Sequence, residues 1–205
     1  LLVICKMDTT THFEFDDILQ RFTKNFGNQM HYYYYKQLFS HDECDKIIGD
    51  FKELCRDKAT VFGSNGSGRI TDVTWIPKNT TTDWIYDKVL KAMVEANDNM
   101  FHFELTTLKD KIQLGCYRGD QKGKYGRHVD MGSDDIHACR KLSISILLSE
   151  PDSYEGGDLI LRTITAPRER GNACVFAAFT EHEVTPVTSG ERYSLVLWVY
   201  GPPFR

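Results

Sequence analysis

No stretch of this 205-residue sequence is apolar for long enough to cross a bilayer, so a membrane-spanning helix is not expected. Charge of one sign is not in excess either. The 25 Lys and Arg against 29 Asp and Glu leave a net charge of −4, which gives no strong pull toward nucleic acid. The six cysteines (Cys5, Cys44, Cys55, Cys116, Cys139 and Cys174) stand at wide, irregular spacings with no C-x-x-C pair. A chain of this length can bury a core without a disulfide framework, so free thiols in a reducing compartment are expected. The opening Leu1-Leu-Val-Ile-Cys-Lys6 lacks the basic region and longer apolar core of a secretory signal, and a cytoplasmic location is expected. There is no internal repeat and no low-complexity tract.

What is present suits one soluble domain. Hydrophobic residues make up 41% and charged residues 26%, both ordinary for a globular chain. Residues 1–30 carry no firm signal. The aromatic run over 32–39 suits a strand. Ser40-His-Asp-Glu43 is a capping-box pattern, and it predicts a helix over 41–57 with Cys44, Ile47, Ile48, Phe51 and Leu54 inward. Gly63-Ser-Asn-Gly-Ser-Gly-Arg69 reads as a flexible loop, followed by a strand ending at Trp75-Ile76 before Pro77. Asp83 is placed to cap a second helix through Asn97, with Ile85, Val89, Met93 and Val94 inward.

From residue 101 the apolar period changes to two. Short runs near 101–108, 111–118, 141–149, 158–164, 173–178, 182–187 and 192–200 are separated by turn signals such as Gly156-Gly157 and Ser189-Gly190. Many short strands at this spacing predict a sandwich or barrel.

One local pattern carries chemistry. In His128-Val129-Asp130 an imidazole and a carboxylate two apart on a strand project to one face. Two His and one carboxylate form the facial set that suits non-haem Fe(II) and leaves positions open. Of the other histidines, His12, His31 and His41 lie in the N-terminal part, His102 in an alternating run and His137 in a polar loop. His182, after the apolar run Ala173–Phe179, is the natural third ligand. Arg192 follows ten residues later. It reaches the same cavity if 182–187 and 192–200 are adjacent antiparallel strands, and its guanidinium can grip a carboxylate with two hydrogen bonds. Tyr117 offers a phenol, and Trp198 and Tyr200 alternate on the last strand as a possible cavity wall. Each of these also reads as ordinary packing when taken alone.

Taken together, the motifs resemble a known family. Tyr117-Arg-Gly119, Tyr125-Gly-Arg-His128-Val-Asp130, Arg140-Lys-Leu-Ser143, Tyr154-Glu-Gly-Gly-Asp158, His182-Glu-Val-Thr-Pro-Val and Arg192-Tyr-Ser-Leu-Val-Leu-Trp198 are similar to segments of the prolyl 4-hydroxylases. That group of 2-oxoglutarate oxygenases includes collagen-type, bacterial and hypoxia-inducible-factor prolyl hydroxylases. The resemblance covers residues 31–205 and is densest from 111 onward.

It implies a mainly β fold with N-terminal helices and a double-stranded β-helix core (a cupin-like jelly-roll). Residues 1–30 would be an extension, 31–100 a helical support and 101–205 the core. It implies that His128, Asp130 and His182 hold a catalytic Fe(II), with 2-oxoglutarate and O2 as cosubstrates and ascorbate as reductant. Arg192 would bind the distal carboxylate and Tyr117 would also touch the cosubstrate. Arg140, Tyr125 and Trp198 would face the target proline, under a lid formed by residues 63–70 and the strand ending at Trp75. Two departures stand out. Leu147 occupies the place of a tyrosine in the hypoxia-type enzymes, and Arg192 that of a lysine in the collagen-type ones.

The expected activity is therefore hydroxylation of prolyl residues in a protein or peptide. The same chemistry on a free amino acid, another side chain or a nucleic-acid base is the enzymatic alternative. A non-catalytic jelly-roll binding protein and a zinc hydrolase are the readings from other classes. All four of His128, Asp130, His182 and Arg192 are present, which disfavours the first, and a zinc hydrolase has no need of Arg192.

Overall fold

The computed structural model describes residues 32–55, 57–58 and 68–204. Residues 1–30, with the expected extension, and most of the expected 63–70 lid lie outside the described residues.

The chain begins with β1 (Tyr33–Tyr35) and α1 (His41–Phe51). The capping box forms: Glu43 N–H donates to Ser40 Oγ at 3.2 Å, and Ser40 N–H to the Glu43 carboxylate at 2.8 Å. The helix stops earlier than its apolar spacing predicts. A 3₁₀ turn over Lys52–Leu54 replaces its last turn, and the tighter winding leaves Leu54 57% exposed instead of inward. Next come β2 (Asp57–Lys58), β3 (Arg69–Ile70), β4 (Asp72–Ile76) and α2 (Asp83–Ala96). Thr82, not Asp83, is the residue that precedes α2, and its hydroxyl bonds the preceding turn instead of capping the helix. Ile85, Val89 and Met93 are buried as expected. Val94 is 51% exposed, because Tyr86, Ala92 and Ala96 complete the inward stripe.

The run at 101–108 is not a strand. A π turn covers Asn97–Phe101 and His102 follows in the left-handed conformation. The Asn97 side chain then binds both the N–H and the C=O of Phe103, each at 2.9 Å. Those are the bonds a neighbouring strand would have taken. The strands proper are β5 (Ile112–Arg118), β6 (Lys124–His128), β7 (Arg140–Leu147), β8 (Tyr154–Gly156), β9 (Leu159–Leu161), β10 (Ile164–Thr165), β11 (Ala173–Ala177), β12 (His182–Val184) and β13 (Val187–Tyr200).

Among the described residues these form two antiparallel sheets. The larger runs β1-β11-β7-β13-β5-β4-β2, with β8 on the first part of β13, and the smaller runs β10-β9-β12-β6-β3. The fold is mainly β, a jelly-roll core supported by two helices. Residues 182–187 and 192–200 are not neighbouring strands. β12 pairs with β6 and β9, while β13 pairs with β5 and β7 in the other sheet. The chain crosses between the sheets at Thr185-Pro186, where proline offers no N–H to either ladder.

Period two in the large sheet divides its faces. Ile112, Leu114, Leu142, Ile144, Ile146, Leu195 and Leu197 point one way, fully buried with α1 and α2 residues such as Ile47, Val89 and Met93. Tyr117, Leu147, Cys174 and Phe176 point the other way, with Leu159, Leu161 and Val184 of the small sheet. The five described cysteines are all unbridged. No helix among the described residues is long and apolar enough to cross a membrane.

Candidate metal and cosubstrate site

His128 ends β6 and His182 begins β12, directly opposite it in register. Their rings lie 4.1 Å apart between centroids. Asp130 lies beyond the end of β6, so strand phase alone does not aim it. Its N–H donates to Ala178 O at 2.9 Å, and Ser143 Oγ–H donates to its carboxylate at 2.7 Å. Those two bonds turn the carboxylate between the imidazoles. Nε2 of His128 and Nε2 of His182 each stand 3.6 Å from a different Asp130 oxygen. One ligand atom from each of the three residues lies within 4.8 Å of the others.

Hydrogen bonds fix the tautomers. Nδ1 of His128 sits 2.8 Å from Gly126 O, and Nδ1 of His182 sits 2.9 Å from Thr180 O. A carbonyl only accepts, so each Nδ1 carries the proton and each Nε2 turns a lone pair toward Asp130. Burial pushes the His182 imidazole below its ordinary value, against the attraction of Asp130. Burial also pushes the Asp130 carboxyl up. His182, His128 and the Ser143 hydroxyl outweigh that and hold it well below the usual carboxylate range. Two Nε2 atoms and the Asp130 carboxylate therefore face one another across the site. That donor set fits a divalent cation held on one side, the arrangement suited to Fe(II), and the Gly126 and Thr180 carbonyls that accept from Nδ1 are the outer partners such a site needs.

The three residues open on a cavity of about 540 Å³, lined also by Tyr125, Arg140, Gln113 and Trp198. Tyr125 stacks on His128 at 3.5 Å. The Arg140 guanidinium lies over Trp198 at 4.1 Å, and each of its nitrogens is engaged: Nε with Tyr200 Oη, Nη1 with Asp130 O, Nη2 with Asp110 at 2.8 Å. The indole Nε1 of Trp198 and the guanidinium Nε of Arg69 are buried without a partner.

Arg192 comes to stand beside this site by a different route from the one its spacing suggested. It faces Tyr117 across the β5–β13 ladder, with its guanidinium 5.3 Å from the Tyr117 ring. It is 3% exposed and donates to Ser194 Oγ at 3.0 Å, while its Nε has no partner. Arg192 borders a small cavity of about 20 Å³ that shares Ser145 and Leu159 with the large one. Ser194, its bonding partner, lines the large cavity itself. A buried, partly unpaired guanidinium on a small cavity adjoining the metal-ligand one suits a carboxylate. His137, set aside as a loop residue, lines the mouth of the cavity but bonds Asp134. His41 and His102 do not line it, and His12 and His31 lie outside the described residues.

Three contributors were not visible as site residues in the sequence. Ser143 and Ser145 are polar positions on one face of an otherwise apolar strand, and that alternation was the available signal. Asp110 stands in a loop with no pattern of its own.

Comparison with known proteins shows the family of this chain. Residues 112–200 match the family model described as the 2OG-Fe(II) oxygenase superfamily. A PKHD-type hydroxylase of Acinetobacter baumannii is 33% identical over 167 residues, 74% of this chain and 72% of the relative. One of Maricaulis maris is 34% identical over 123 residues, 57% of this chain and 53% of the relative. The chain spans about half the length of the first curated relatives it matches. The structure of a Trichoplax adhaerens prolyl hydroxylase in complex with a hypoxia inducible factor peptide fragment superposes with a TM-score of 0.67. It covers 95% of this chain and 94% of its own, at 16% identity. The motifs, the fold and the relatives converge: the chain belongs to the 2OG-Fe(II) oxygenase superfamily, whose members use Fe(II), 2-oxoglutarate and O2.

Proposed function

We propose that this chain hydroxylates prolyl residues, at the 4-position, in a protein or peptide. The observation that carries the reading is the His128–Asp130–His182 cluster in a cavity that shares Ser145 and Leu159 with the small one bordered by the buried, partly unpaired Arg192, which faces Tyr117 across the sheet. His128, Asp130 and His182 hold Fe(II). With Fe(II) held there, 2-oxoglutarate and O2 would supply the oxidation, one oxygen atom going to succinate as CO2 leaves and the other to the new hydroxyl, and ascorbate would return iron oxidised outside that cycle to Fe(II).

The protein's own groups bind and orient. Ser143 keeps the Asp130 carboxylate turned inward. Arg192 takes the distal carboxylate of the cosubstrate and Tyr117 packs beside it. Tyr125, Trp198 and Arg140 form the wall that meets the substrate, and aromatic walls suit proline-containing peptides. The unpaired Trp198 and Arg69 donors suit peptide carbonyl oxygens, which favours a peptide over a free amino acid or a base. The related sequences are PKHD-type hydroxylases, and the Trichoplax relative holds a peptide. Residues 31–205 act as one catalytic domain with 1–30 as an extension. The unbridged thiols suit a reducing compartment, and we assign the protein to the cytoplasm.

Succinate release with Fe(II) and ascorbate, joined to mass spectrometry across proline-containing peptides, free proline and oligonucleotides, tests this. A product heavier by one oxygen on a peptide is expected. Oxygen incorporation only into the free amino acid or the base would replace the peptide reading. Arg192→Ala should raise the 2-oxoglutarate requirement by about tenfold or more and change kcat little. An unchanged requirement would remove Arg192 from the cosubstrate.

A further inference from the structure

Arg192 is not the only unpaired donor at the inner end of the site. The small cavity beside it is bounded by Tyr154, Leu147, Cys174 and Gly157. The Tyr154 hydroxyl is buried there with no partner, in a side chain only 4% exposed. A buried hydroxyl is costly to leave unpaired, so its partner is to be sought in something that enters the cavity.

The walls give it none. Leu147 has no polar atom. Burial pushes the Cys174 thiol up to about 12, so it stays neutral. The Asn172 amide is committed to Glu169, Tyr34 and the Gln37 N–H. Arg168 lies over the Tyr154 ring at 4.5 Å and sends its terminal nitrogens outward, to Asp158 and to the Pro151 and Tyr154 carbonyls.

The backbone is shaped to bring Tyr154 and Arg192 together. Tyr154 pairs with Gly190 at the start of β13, two residues before Arg192. Gly157 follows with φ +66°, where an added Cβ would come 2.8 Å from Arg192 Cδ and 3.3 Å from the Tyr154 ring. Glycine there allows both side chains to approach one point.

We propose that the Tyr154 hydroxyl is a second anchor for the distal carboxylate of 2-oxoglutarate, donating a hydrogen bond beside the Arg192 guanidinium. The assignment rests on Arg192 holding that carboxylate. A neutral donor next to a fixed cation adds direction to the grip and discriminates a dicarboxylate from a 2-oxo acid with an apolar tail.

The test is calorimetry of the iron-loaded protein without oxygen, titrated with 2-oxoglutarate and with 2-oxovalerate, which ends in a methyl group. Tyr154→Phe should weaken 2-oxoglutarate binding about tenfold or more and leave 2-oxovalerate within about twofold. Iron content and the melting temperature of the ligand-free protein should not fall, since the variant removes one unpaired atom and keeps the ring over which Arg168 packs. Equal weakening of both acids, or no weakening of either, overturns the proposal. An Arg192→Ala arm separates the two claims. If Arg192→Ala binds 2-oxoglutarate as the unmodified protein does, the Arg192 assignment fails and Tyr154 falls with it. If Arg192→Ala weakens binding and Tyr154→Phe does not, only Tyr154 is excluded.

Discussion

The two faces of the large sheet are built from the same strands and do opposite work. On β5, β7 and β13 the residues Ile112, Leu114, Leu142, Ile144, Leu195 and Leu197 meet the helices, and all are fully buried and apolar. One position along, Gln113, Ser143, Arg192 and Ser194 are almost as buried and all polar. Burial alone does not distinguish the faces. What distinguishes them is whether the buried groups need partners. Apolar side chains are stabilised by leaving water, whereas a buried serine or arginine is costly unless something bonds it. On the site face the partners are Asp130 for Ser143 and Ser194 for Arg192, with Arg192 Nε left over. Polar residues at every second position of an apolar strand therefore locate the cavity.

Breaking the metal cluster should give the largest effect. His182→Ala removes one of the three proposed ligands. Bound iron and succinate formation should each fall by more than about a hundredfold, since even outer-shell losses reach that size. Metal analysis alongside the succinate assay checks it, and turnover that survives removes His182 from the ligand set. On the opposite face, Ile144→Ala should cost about 2–5 kcal/mol of stability, because the cavity it leaves is walled by close-packed neighbours. Denaturant unfolding measures this. The folded fraction should keep its affinity for iron, and a loss of iron affinity would show that the faces are not separable.

That separability is also why the sequence was partly readable. Period two over 111–200 located the large-sheet strands, and the capping box at Ser40 located α1. His128 and His182 were recoverable because they sit on paired strands. Asp130 was grouped with His128 by a strand rule that does not apply to it, since its aim comes from Ala178 and Ser143, both distant in sequence. Arg192 was put beside His182 through a strand adjacency that does not exist, since the two stand in different sheets. The 101–108 run misled because Asn97 takes the backbone bonds of Phe103, a side-chain substitution that no apolar pattern encodes. Tyr154 was legible only as part of a motif. Its unpaired hydroxyl follows from the packing of Leu147 and Gly157 around it.

Smaller changes sharpen the comparison further. Ser143→Ala deletes the bond that turns Asp130 inward, so iron affinity should fall about 10- to 100-fold with little loss of fold. Unchanged affinity would mean that the Ala178 contact alone aims the carboxylate.

The smallest predicted effect is one of pH, and it separates the faces by sign. Burial depresses the His182 imidazole below its ordinary value of 6.5, so in the metal-free protein the unfolded chain takes up this proton first. Stability should be flat above that value and fall as pH drops below it. Asp130 adds to the fall further down. Its carboxyl is depressed, so its contribution is present above the ordinary carboxylate range near 4 and is lost as pH drops beneath it. Each 1 kcal/mol lost moves the melting temperature by about 2–4 °C in a chain of this size. Ile144→Ala carries no titrating group, so its melting curve should sit lower by the same amount at every pH. His182→Gln removes the group that resists the proton, and it should flatten the slope between pH 6.5 and 5. A slope that persists in that variant would assign the acid sensitivity to groups outside the cluster.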